Sequence, residues 1–119
     1  MRVLIVDDDM DIRFALTSVF QAKFNLTVVE ATSGEHAIQT LIQEKFNLIV
    51  SDLEMSNGDG LTIVDYLKEK KLDTPFIFFS GSKEIQAEDH APYVLKAFSK
   101  DELLSLVDYI QHKFQLMHK

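Results

Sequence analysis

A chain of 119 residues is the size of one domain, and with 46% apolar and 26% charged residues it can bury a real core. Twelve basic residues against nineteen acidic ones leave a net charge of −7, which disfavours nonspecific binding to nucleic acid or anionic membranes. Without cysteine, neither a disulfide framework nor a thiolate zinc site can form, and no run approaches the ~20 apolar residues of a membrane span.

Arg2–Val6 is nearly all apolar, the pattern of a strand covered on both faces. Asp7 stops the run too early for the apolar part of a secretory signal, so a cytoplasmic protein is expected. After Asp7-Asp8-Asp9, residues Ile12, Ala15, Leu16, Val19 and Phe20 recur at helical spacing, with Asp9 or Asp11 as N-cap. A second strand is predicted at 26–30, then a helix capped by Ser33 and carrying Ala37, Ile38, Leu41 and Ile42. Leu48–Ser51 is a third strand that delivers Asp52. Asp59 caps a helix at 61–70, whose apolar positions are Leu61, Val64 and Leu67. A fourth strand at 76–79 delivers Ser80, and a short fifth at 93–95 delivers Lys96. Ser99 caps the last helix, which lies within 100–114 and in which Leu103, Leu104, Val107, Tyr109 and Ile110 recur at helical spacing. The four histidines share no metal-ligand spacing.

Strands alternating with helices predict a parallel sheet with right-handed crossovers, in one domain spanning 1–119. Ligands of such sheets bind outside the carboxyl ends of the strands. That edge would hold Asp7, Asp8, Asp52, Ser80 and Lys96. Carboxylates that close need a cation to remain ionised together, and a hydroxyl and an ammonium beside them suit a phosphoryl group. Residues 83–90, between Ser80 and Tyr93, carry only Ile85 and Ala87 as apolar positions, and Pro92 follows. A helix there is expected to be short or absent.

The pieces Val6-Asp7-Asp8-Asp9, Ser51-Asp52-Leu53-Glu54-Met55, Gly58-Asp59-Gly60-Leu61, Ser80-Gly81 and Tyr93-Val94-Leu95-Lys96, in this order, resemble the receiver domain of two-component response regulators. The resemblance covers the full length. It implies a flavodoxin-like, doubly wound five-stranded sheet of order 2-1-3-4-5. It also implies that Asp52 accepts a phosphoryl group from a histidine kinase or histidine phosphotransfer protein. Asp7, Asp8 and Asp52, with the backbone carbonyl of Glu54, would hold Mg²⁺. Lys96 would pair with the phosphoryl oxygens, and Ser80 would donate a hydrogen bond to them. Tyr93 would be the switch aromatic that turns inward when Ser80 moves, and the Glu54 and Ser82 side chains would flank the water that hydrolyses the aspartyl phosphate.

Three departures stand against the family pattern. Ala97 follows Lys96 where the family has a proline after a cis bond, and a cis bond before a non-proline residue costs roughly 2.5–4 kcal/mol. The loop after Asp52 reads Met55-Ser56 without proline, although Asn57-Gly58 can make the turn. Only fifteen residues separate Ser80 from Lys96. Plainer readings exist for each position: Asp9 as a cap, Ser80 as loop composition, Lys96 as a solvated strand end and Tyr93 as an edge residue.

The leading expectation is a stand-alone, monomeric receiver that signals by phosphorylation-dependent protein binding or by passing the phosphoryl group on. It would assist its own phosphorylation without being an enzyme in the usual sense. The face beside the missing helix would be remodelled, shifting partner recognition to the first helix or the reshaped loop. A receiver-like interaction module independent of phosphorylation is a second reading. A small phosphatase of the haloacid-dehalogenase type is a third, weakened because Glu54 stands where that family has its second aspartate.

Overall fold

The computed structural model describes residues 1–81 and 86–117. Five strands, β1 (Arg2–Val6), β2 (Thr27–Ala31), β3 (Leu48–Ser51), β4 (Phe76–Ser80) and β5 (Val94–Ser99), form one sheet. Every pairing is parallel and the order is β2-β1-β3-β4-β5. Among the described residues four α-helices cover it: α1 (Met10–Lys23), α2 (Gly34–Gln43), α3 (Gly60–Glu69) and α4 (Leu103–Lys113). None of the described helices is long and apolar enough to cross a membrane.

The alternation of side chains along each strand divides the core in two. Val3, Ile5, Leu48, Val50, Ile77, Phe79 and Phe98 face α1 and α4, meeting Leu16, Phe20, Leu106, Val107 and Ile110. Leu4, Val6, Ile49, Phe76, Phe78 and Val94 face α2 and α3, meeting Ala37, Ile63, Val64 and Leu67. Phe20, Phe76 and Phe78 are fully enclosed, each side chain contributing about 1.5–3 kcal/mol relative to an exposed one. Phe76 and Phe78 also meet edge to face, with ring centroids 4.8 Å apart.

Helix starts follow local chemistry. Asp9 accepts from Asp11 N, Ser33 from His36 N and Asp59 from Thr62 N, as N-caps do. Two glycines are dictated by close approach. A Cβ on Gly34 would lie 2.7 Å from the carbonyl oxygen of Gly58, and one on Gly60 would lie 2.5 Å from that of Asp52. Asn57 and Gly58 both adopt positive φ, so Asn57-Gly58 does make the turn after Asp52.

The differences from expectation concentrate at the end of the chain. β2 lies one residue later than predicted, whereas β5 runs on through Ser99 instead of ending at Leu95. It continues because Phe98 reaches the core and Ala97 to Ser99 keep pairing with Phe78 to Ser80. Ser99 therefore belongs to the strand and does not cap α4. Its N–H donates to Glu102 Oε1 at 2.8 Å and its hydroxyl donates to Asp101 and Glu102. The helix opens at Leu103. The Lys96–Ala97 bond is trans; among the described residues the cis bond is Ala91–Pro92.

Between β4 and β5 the described residues carry no α-helix, only a 3₁₀ turn at Ala87–His90, in line with the expected short or absent helix. Ser82 and Ile85 lie outside the described residues. Of the histidines, His36, His90 and His112 belong to no common cluster of possible metal ligands, and His118 is likewise outside the described residues.

Candidate functional site

The carboxyl ends of β1 and β3 lie side by side, with Val6 paired to Ser51. The next residue of each strand is an aspartate. Asp52 N donates to the Val6 carbonyl at 2.9 Å, and Asp7 N donates to the Ala31 carbonyl at 3.2 Å. These bonds extend the ladder by one step and hold both aspartates at the sheet edge. Asp7 is 1% exposed and Asp52 6% exposed, while Asp8 stands at the surface. One carboxylate oxygen from each of the three can be chosen so that all lie within 4.8 Å of one another.

Each carboxylate is aimed by a local bond. Asp7 Oδ1 accepts from Asp9 N at 2.9 Å, and Asp52 Oδ1 accepts from Leu53 N at 2.8 Å. Asp8 Oδ2 accepts from Ser56 N at 3.3 Å, linking the first acidic turn to the loop after β3. The Asp52 backbone is pinned as well. The Ser51 hydroxyl donates to its carbonyl at 2.7 Å, and Gly60 N returns to Leu53 O at 2.8 Å.

The ammonium at this site belongs to Lys100, not Lys96. Lys100 Nζ lies 3.0 Å from Asp52 Oδ2 and 3.2 Å from Asp7 Oδ2, bridging the two buried acids. Lys96 is exposed and sits opposite Ile77, near the far end of β4. Its motif misleads because Val94-Leu95-Lys96 opens the strand and does not close it. The strand closes on Ala97-Phe98-Ser99, and Lys100 follows. An available signal was the buried-looking Phe98 two residues before a second lysine.

Tyr93 is displaced for the same reason. It precedes Val94, the partner of Phe76, so it lies at the opposite end of β4 from Ser80. There it lines an apolar cavity of about 240 Å³ with Leu72, Pro75, Pro92 and Leu95. It cannot turn in behind Ser80, and the position opposite Phe78 is Ala97. Ser80 itself is buried at the last position of β4, opposite Ser99. Glu54 is exposed in the loop two residues past Asp52.

The electrostatics follow from this crowding. Burial raises the Asp7 carboxyl above its ordinary range and the Asp52 charge adds to that rise, while the Asp9 N–H and the Lys100 ammonium oppose it. For Lys100, burial favours the neutral amine, but the hydrogen bond to Asp52 and the charges of Asp7 and Asp52 outweigh it and hold the ammonium above its ordinary value. Three acids and one base leave a local excess of negative charge at the strand ends. All the donors are hard oxygens, the chemistry of a Mg²⁺ or Ca²⁺ site rather than of a soft metal.

Comparison with known proteins agrees with this geometry. The family model described as the response regulator receiver domain matches residues 3–108. The transcription factor SKN7 of Saccharomyces cerevisiae is 31% identical, aligned over 96% of this chain and 19% of its own length. The response regulator SaeR of Staphylococcus aureus is 30% identical over 98% of this chain and 53% of its own. The chain thus spans between about a fifth and about half of these curated relatives. Among solved structures, the response regulator TrrA of Thermotoga maritima, crystallised with Mg²⁺ and BeF, superposes with a TM-score of 0.78 at 25% identity, covering 92% of this chain and 97% of that one. The response regulator domain of Thermotoga maritima CheB gives 0.79 at 23% identity, over 94% of each chain. With its sheet order, its paired acidic strand ends and this match over most of its length, the chain belongs to the response regulator receiver domain family.

Proposed function

We propose that the chain is a phospho-acceptor in which Asp52 takes a phosphoryl group from a phosphohistidine on a kinase or phosphotransfer protein. The observation that carries this reading is the Lys100 ammonium bridging Asp52 and Asp7 at 3.0 and 3.2 Å. A positive charge beside the Asp52 carboxylate supports this reading, because the transferred phosphoryl oxygens would need one there.

The Asp52 carboxylate attacks phosphorus, the P–N bond to the donor imidazole breaks, and the imidazole leaves with that bonding pair. An acyl phosphate remains on Asp52. As charge moves from the carboxylate to the phosphoryl oxygens, Lys100 can follow it, since its Nζ already touches the attacking group. The Ser80 hydroxyl, buried at the end of β4, is the donor proposed for a further phosphoryl oxygen. Asp7, Asp8, Asp52 and the Glu54 carbonyl are the proposed Mg²⁺ ligands, and the three converging carboxylates fit a small hard cation. When bound, Mg²⁺ supplies charge neutralisation at the transferring group. Catalysis of this kind is mostly positioning and electrostatics. The exposed Glu54 side chain, two residues past Asp52, is proposed to act on hydrolysis of the acyl phosphate more than on its formation. Signalling would follow through phosphorylation-dependent binding of a protein partner or onward transfer.

Incubation with acetyl phosphate and Mg²⁺, read by intact mass, tests this. One phosphate should appear on the wild type and none on Asp52→Asn. Labelling of the Asn variant, or equal labelling in excess EDTA, defeats the reading, and catalytic turnover of a phosphomonoester would replace it with a phosphatase. A Glu54→Ala variant whose acyl phosphate decays at the wild-type rate would remove Glu54 from the hydrolytic step.

A further inference from the structure

The turn from β1 into α1 carries two of the three acids, and its backbone is held from the side by a residue outside the acidic cluster. Arg13 Nη1 donates to the Asp7 carbonyl oxygen at 2.8 Å, and Arg13 Nε lies 3.1 Å from Glu30 Oε1. The Arg13 side chain is 14% exposed, and Glu30 belongs to edge strand β2, paired with Ile5. One planar guanidinium therefore ties the loop carbonyl to a neighbouring strand, using two donors whose relative directions are fixed. The remaining polar atoms of Asp7 are already engaged: its N–H with Ala31, and its carboxylate with Asp9 N and Lys100.

We propose that Arg13, anchored by Glu30, is a positioning residue for the cation-binding acids. The proposal rests on the phospho-acceptor reading above. Its physical basis is the planarity of the peptide group: fixing the Asp7 carbonyl oxygen fixes the plane through Asp8 N and Asp8 Cα. That plane sets the direction in which the Asp8 carboxylate leaves the backbone. Asp8 is the exposed acid of the three, and among the described residues the hydrogen bonds to its carboxylate from outside its own turn come from Ser56, at 3.3 and 3.5 Å. Asp7 is held by burial whether or not Arg13 is present, whereas Asp8 depends on its backbone. The role of Arg13 is geometric, since its partners are a carbonyl and Glu30 rather than the clustered carboxylates.

The test is Mg²⁺ titration calorimetry on wild type, Arg13→Ala, Arg13→Lys and Glu30→Gln, with melting of each metal-free protein and acetyl phosphate labelling alongside. Groups that orient metal ligands typically alter affinity about 10–100-fold when removed. Arg13→Ala should therefore bind Mg²⁺ about tenfold more weakly, while labelling at saturating Mg²⁺ returns to within about threefold of wild type. Arg13→Lys keeps the stem and the charge but has one ammonium for two partners, so it should fall between. Glu30→Gln keeps an acceptor oxygen and should lose least. A residue needed only for folding would lower the melting temperature without splitting affinity from saturated rate. If Arg13→Ala fails to fold, Arg13→Lys gives the decision. Wild-type affinity in whichever of these two folds overturns the positioning role alone. Failure of the wild type to bind Mg²⁺ or to label overturns the phospho-acceptor reading and this role with it.

Discussion

The two halves of the sheet's carboxyl edge are built differently. At β1 and β3 the pairing is in register from Val3 with Leu48 to Val6 with Ser51, and the next residue of each strand is the aspartate that matters. Backbone bonds fix both, and a glycine at position 60 packs against the Asp52 carbonyl. At β4 and β5 the pairing slips by one residue between Phe76 and Ile77, the described residues of the connecting segment carry a 3₁₀ turn, and the cation arrives from beyond the strand end. The Asp52 side is specified by backbone, whereas the Lys100 side is specified by one long side chain reaching 3.0 Å from its partner. A carboxylate on a rigid turn tolerates little change nearby; a lysine on a flexible stem can be supplied from more than one strand length.

The sharpest test of that contrast is a pair of lysine variants. Lys100→Ala should slow labelling roughly a hundredfold, the usual effect of removing one preorganised donor from a developing charge. Lys96→Ala, at an exposed strand position, should stay within about twofold of wild type. The reverse order, measured by initial labelling rates, would move the cation site back to Lys96.

The next effect is on stability. Gly60→Ala forces a methyl group against the Asp52 carbonyl and the Phe78 ring, at 2.5 and 2.6 Å. It should cost about 1–3 kcal/mol in denaturant unfolding. A Cβ on Gly81, at the exit of β4, meets nothing within 4 Å, so Gly81→Ala should change stability by less than about 0.5 kcal/mol. Equal costs would erase the difference between the two sides.

A smaller effect of opposite sign is expected at Asp7. Its carboxyl is raised in the folded protein, so the ionised form is less comfortable folded than unfolded. The contribution of such a group is fully present below the ordinary value of 3.8 and is lost as pH rises through the raised one. Asp7→Asn, which keeps an oxygen for the Asp9 N–H, should therefore stabilise the metal-free protein at neutral pH by about 1 kcal/mol. The gain should shrink as pH falls through the raised value towards the ordinary carboxylate range. Lys100 behaves as a raised base: its stabilisation is present below 10.5 and is lost as pH rises through its higher folded value. A gain at Asp7→Asn that persists unchanged in acid would assign it to packing. The smallest expectation is at Tyr93. Since it lies at the far end of β4 from Ser80, Tyr93→Phe should leave labelling within about twofold of wild type.

Most of the fold could be read in the sequence because buried parallel strands are continuous apolar runs and because three helix caps use side chains that declare themselves, Asp9, Ser33 and Asp59. Asp7, Asp8 and Asp52 were equally visible, each following such a run. What was not visible lay where local pattern and tertiary pairing disagree. In Val94-Leu95-Lys96-Ala97-Phe98-Ser99 only Phe98 hints at a six-residue strand with an exposed lysine inside it. Lys96 interrupts the apolar run, and only pairing with β4 carries the backbone past it. Arg13 was hidden for another reason: its partners are a backbone carbonyl and a residue seventeen positions away, and neither leaves a mark on periodicity.

The slip between Phe76 and Ile77 has a meaning for chain length. Val94 pairs with Phe76 but Lys96 pairs with Ile77, so Leu95 is one residue more than the ladder needs. A flat strand entering at Val94 would set Phe98 opposite Ser80 and carry the cation one residue beyond its place. The slack residue takes up that extra length, so that Ser99 faces Ser80 and Lys100 arrives beside Asp52. For this fold, distance along the chain from hydroxyl to ammonium is a poor ruler, and the hydrogen-bonded ladder is the accurate one.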